Sequence, residues 1–152
     1  MRYEQTRTIL QQLAPNYHRA VSRYYQDLAD GDVSPRVRLM LDYLIDHEQH
    51  RALALGEFCQ DASRQVLDHW FKGLEVEFPQ ARSDLLGEAA KNDLDELIKA
   101  AVGYKLNLIL YFTHLIERAS GKETIDLFQT LKTQEEKAMK RMIRHSQGLA
   151  DL

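Results

Sequence analysis

Four charged residues stand where helical stretches ought to be apolar. Taken at alternating steps of three and four, the stripe after Pro35 reads Val37, Leu41, Leu44, Glu48, Arg51, Leu55, Phe58. A later stripe reads Leu94, Ile98, Ala101, Lys105, Leu108, Phe112, Leu115, Ala119, and the last reads Phe128, Leu131, Glu135, Ala138, Met142, His145, Leu149. Glu48, Arg51, Lys105 and Glu135 interrupt these stripes, and Tyr17 holds the comparable place in the first stretch. All five lie near helix midpoints, and midpoints of antiparallel helices meet in one layer. Glu48 and Arg51, three apart, share a face. Buried charges are costly unless paired and hydrogen-bonded. Two carboxylates, one guanidinium and one ammonium therefore predict a buried salt-bridge layer of Tyr17, Glu48, Arg51, Lys105 and Glu135. The competing arrangement moves the stripe onto Met40, Leu44 and His47, exposes Glu48 and Arg51, and lets the Lys105 stem reach water.

The run Asp46-His47-Glu48-Gln49-His50 is rich in possible ligands. His47 and His50 could hold a transition metal, although a solvated helix face is the commoner use of such a run. The metalloprotease pattern, histidines four apart around a glutamate, is absent. His114 with Glu117 makes a weaker case, and His18 and His69 stand alone and read as structural. Cys59 falls on the apolar side of a helix end with no histidine–acid pattern to activate it. The tyrosines at helical spacing (17, 24, 25, 43, 104 and 111) read as packing. Trp70 and Phe71 read as anchors of a connecting segment.

Few breakers divide the elements that must position these residues. Asp30-Gly31 ends a first helix in which Pro15 either introduces a kink or restarts the helix near Ala14. Ser34-Pro35 is an N-cap followed by proline at the first helical position, opening a helix to about Cys59. Asp93 to Glu96 opens a third helix running to Ser120, with Gly121 after it. A fourth runs from Lys122 to Gln147, closed by Gly148. About thirty residues, 61–92, separate the second helix from the third. Their apolar cluster Val66, Leu67, Trp70, Phe71 and Leu74 predicts a short helix, and no strand pair is evident. The expected fold is all-α, a single four-helix domain over 1–152 made of two hairpins joined by a long crossover.

That layout resembles the ferritin-like, rubrerythrin-like superfamily. There the first and third helices each give a glutamate, and the second and fourth each give Glu-x-x-His, around two metals. Glu48-Gln49-His50-Arg51 keeps the glutamate, with arginine at the histidine place. Glu135-Glu136-Lys137-Ala138-Met139 keeps glutamates, with alanine or methionine there. Lys105 stands for the third-helix glutamate, and Tyr17 or His18 for the first. The resemblance implies a bundle in which Arg51 and Lys105 supply positive charge that metals supply elsewhere, with no cofactor, acting through a partner protein or small ligand. Its alternative is an iron or manganese oxidase or oxygenase with altered ligands drawn from Glu48, His47, His50, Glu135 and Glu136. Relatives with lysine at a ligand position that do redox chemistry without metal would put that chemistry at Tyr17 and Lys105.

Composition narrows the classes further. The chain has 152 residues, 44% hydrophobic and 28% charged, which suits one domain with its own core. With 20 basic and 23 acidic residues, the net charge of −3 argues against wrapping nucleic acid. A lone cysteine forms no internal disulfide, and no stretch approaches the ~20 apolar residues of a membrane span. A cytoplasmic protein without a membrane partner is expected, with a homodimer as the default assembly.

Overall fold

A computed structural model describes residues 2–152, and the chain is mostly helical. Strand β1 (Arg2–Gln5) leads into α1 (Thr6–Thr8), a π-helical stretch (Ile9–Leu13) and α2 (Ala14–Ala29) without a break. Proline at 15 cannot donate to the carbonyl four residues back. The wider turn before it accommodates that loss, with the Ala14 amide bonding to the Ile9 carbonyl. After a turn at residues 30–34 comes α3 (Pro35–Asp61), capped by Ser34, whose side chain accepts from the Val37 amide. Helix α5 (Leu94–Arg118) is capped by Asp93, which accepts from the Asp95 and Glu96 amides. Helix α6 (Lys122–Ala150) follows Gly121, whose φ of 90° favours glycine. Gly148 lies inside α6 rather than closing it, because the helix continues to Ala150.

The four long helices pack around one apolar core, α2 chiefly against α3 and α5 against α6, with further contacts of α3 to α5 and α6. The connection between α3 and α5 is not the single short helix expected. It contains α4 (Arg64–Leu67), capped by Ser63, then strand β2 (Trp70–Leu74), then two 3₁₀ turns. Strand β2 pairs antiparallel with β1, Gln5 opposite Trp70 and Arg2 opposite Leu74, with an irregularity between Arg2 and Glu4. The chain is therefore not purely helical. In Trp70–Leu74 the core positions are Phe71 and Leu74, while Trp70 is half-exposed. Of the two expected anchors, Phe71 is the one in the core, packing edge-on against Phe128, and Leu74 joins it there. Farther along, the Tyr24 hydroxyl donates to the Ala81 carbonyl and the Tyr104 hydroxyl to the Arg82 carbonyl, pinning the crossover to α2 and α5. Among the described residues no helix is long and apolar enough to cross a membrane.

Candidate functional site

Four helices each bring one polar group to a common buried centre. They are His18 from α2, Glu48 from α3, Lys105 from α5 and Glu135 from α6, none more than 2% exposed. Each sits at a position whose neighbours one turn away are core residues, such as Leu44 and Ala52 around Glu48 or Leu131 and Ala138 around Glu135. The same periodicity that buries the leucines therefore carries the charges inward.

Lys105 Nζ donates to Glu48 Oε1 and to Glu135 Oε2, each at 2.9 Å. His18 spans the same two carboxylates from the other side. Its Nδ1 meets Glu48 Oε2, and its Nε2 lies 3.4 Å from Glu135 Oε1. An imidazole facing a carboxylate with both nitrogens is satisfied as the imidazolium, since a neutral ring would set a lone pair against one of them. Arg51 Nε donates to Glu135 Oε1 at 3.1 Å, with its side chain 13% exposed. Three cationic groups thus meet two carboxylates, and the member with a path to solvent is Arg51.

The charge states follow from this geometry. Burial pushes the Glu48 carboxyl up, but Lys105 and His18 outweigh it and hold the group at about 2. Burial likewise opposes ionisation of Glu135, and Lys105, His18 and Arg51 together hold it well below the usual carboxylate range. For Lys105 and His18 burial favours the neutral form, and the two glutamates overcome it, raising both.

Tyr17 lies in the same layer but takes no part in the ion pairing. Its hydroxyl donates to the Tyr104 carbonyl at 2.7 Å, and its ring stands edge-on to His18 and Phe78. Burial, then the charge of Glu48, keeps its phenol protonated. Of the five residues expected in the layer, the structure brings Glu48, Lys105, Glu135 and Arg51 into direct contact and leaves Tyr17 alongside. It adds His18, which had read as isolated. The sign of His18 in the sequence is its spacing of four to Ser22 and seven to Tyr25, both buried on the same face. Adjacent Tyr17 offered an equally good stripe position and masked it.

The donors do not fit a shared metal pair. Lysine and arginine cannot ligate while protonated, and here they occupy the carboxylate oxygens that would bridge two ions. The other expected ligands lie elsewhere. His50 is 71% exposed in its side chain and bonds to the Asp46 carbonyl. Glu136 is half-buried and forms no ion pair with the centre, because it points one residue around α6 from Glu135. His47 stacks parallel to Tyr43, which in turn stacks on His145 at 4.2 Å between centroids. Burial and the charge of Lys105 depress His47 to about 4, so its ring is neutral, and its Nε2 is buried without a partner. Among the described residues no group of three or more His, Cys, Asp or Glu side chains is arranged to hold a metal ion.

Two surface clefts open away from this centre. One of about 340 Å³ lies where α3 ends and α6 begins, floored by Phe58, Val66 and Leu127 and rimmed by Asp61, Glu123 and Asp126. Another, of about 560 Å³, lies at the opposite end around Ser34, Asp93 and Ala150. Neither is lined by a member of the charged cluster. The chain matches no known family model, no curated protein and no solved structure.

Proposed function

We propose that this chain is a four-helix bundle of ferritin-like layout whose centre is neutralised by its own cations, and that it works by binding a partner protein or small ligand rather than by metal chemistry. The observation that carries this reading is the position of Lys105 Nζ, equidistant from Glu48 and Glu135 and hydrogen-bonded to both. A cation on a rigid helix placed there does electrostatically what bridging metals do in a di-metal bundle, and it repels a divalent ion. Two helical hairpins joined by a long crossover, with one polar group contributed by each long helix at mid-height, support the ferritin-like layout. The enclosed position of the cluster, away from both clefts, supports a structural role for it and supports recognition at the surface.

Elemental analysis of protein purified without chelator, joined with thermal unfolding in the presence of iron(II), manganese(II) or EDTA, tests the proposal. Expected are substoichiometric metal and an unchanged midpoint under all three conditions, since an ion that bound the native state would raise it. One or two tightly held ions per chain, or a chelator-sensitive midpoint, would overturn it.

A further inference from the structure

The outer face of α5 carries exposed apolar side chains that the fold leaves uncovered. Leu106 is 42% exposed and Leu110 59%, and Leu85 of the crossover, 38% exposed, lies beside Gly103 on the same face. Around them a stripe runs at steps of four, three, four, three and four: Lys99, Gly103, Leu106, Leu110, Thr113, Glu117. That is the spacing of a helix–helix seam, and the core residues of α5 lie on the other side of the helix.

The stripe is also self-complementary. Its members are placed symmetrically about the level of Leu108. In an antiparallel pairing of two copies across a two-fold axis there, Leu106 of one meets Leu110 of the other, Gly103 meets Thr113, and Lys99 meets Glu117. The charges at the ends are opposite, the apolar residues meet at the middle, and the glycine stands where close approach is useful. A Cβ at Gly103 would lie 3.7 Å from Leu85 Cδ1, so the end of the Leu85 side chain flanks the glycine and is part of the same apolar patch. Among the described residues Lys99 pairs only with Glu96, at 3.3 Å and largely in solvent. Such exposed pairs contribute little, which leaves the ammonium free to exchange partners.

We infer that α5 is the dimerisation helix of this protein, and that its occupant is α5 of a second copy running antiparallel. The inference does not depend on the reading of the buried centre. The stripe spans about 27 Å of helix. Three apolar residues per copy and two symmetry-related ion pairs define a modest interface, of the kind that associates reversibly.

Sedimentation equilibrium of the full chain over a wide concentration range, with circular dichroism to monitor folding, tests it. The wild type is expected to pass from monomer to dimer. Leu110→Glu sets two carboxylates against apolar partners and should weaken association by about a hundredfold with helicity unchanged. Lys99→Glu or Glu117→Lys alone places like charges opposite one another twice, for a loss of about tenfold, whereas the double exchange restores association. If Leu110→Glu alters the helical signal, the charge-exchange set decides. A wild type that stays monomeric at millimolar concentration, a dimer indifferent to Leu110→Glu, or a double exchange that fails to recover would each overturn the assignment.

Discussion

Lys105 Nζ and Glu48 Oε1 lie 2.9 Å apart with both side chains 2% exposed, a charged pair that water does not share. Breaking such a pair from one side leaves an uncompensated buried charge. Lys105→Met should therefore cost about 3–5 kcal/mol in urea unfolding at neutral pH. Arg51→Met should cost only about 1 kcal/mol, because Arg51 is partly solvated and Glu135 keeps Lys105 and His18. Equal losses for the two variants would contradict the assignment of Lys105 as the central cation.

His18 and Glu48 set opposite limits on pH stability. The folded value of His18 is raised above the ordinary 6.5, so its contribution is complete below 6.5 and is lost as pH rises through the folded value. Glu48 is lowered from 4.5 to about 2, so its contribution is complete above 4.5 and fades as pH falls toward 2. Unfolding free energy measured across pH should decline on both sides. His18→Gln should flatten the alkaline decline while leaving the acid one in place. An unchanged alkaline limb in that variant would count against the imidazolium.

His47 acts in the reverse direction although it is the residue before Glu48. Its folded value is lowered from 6.5 to about 4, so the unfolded chain takes up a proton more readily between those values. Stability from this group is complete above 6.5 and is lost as pH falls toward 4. His47→Phe keeps the stack on Tyr43 and removes the proton site. Its unfolding free energy should fall less steeply than that of the wild type between pH 6.5 and 4, and an identical slope would refute the buried neutral ring.

Glu48, Lys105 and Glu135 were legible in the sequence because a formal charge on an apolar stripe has few places to go. The end of α6 was less so. Steps of three and four average 3.5, whereas the helix turns every 3.6 residues, and over a long helix the difference accumulates. His145 accordingly lies outside, stacked on Tyr43, and Ser146 takes the buried position. The β1–β2 ribbon had no local sign, since its strands are separated by five helical segments and no hairpin turn joins them. Phe71 and Leu74 looked like a helix face because two apolar residues three apart fit that period, and in the strand Gly73, with φ 67°, breaks the simple alternation.

The broad turn at Ile9–Leu13 amounts to one residue more than an α-helix would use there. Each helical residue rotates the chain by about 100°, so the extra one sets the phase between everything upstream and His18 downstream. Ile9 and Leu10 reach the core because of that offset, not in spite of it. The amino-terminal segment and the charged centre are consequently indexed separately: losing one glutamine at 11 or 12 would swing the former toward solvent and leave the latter where it is.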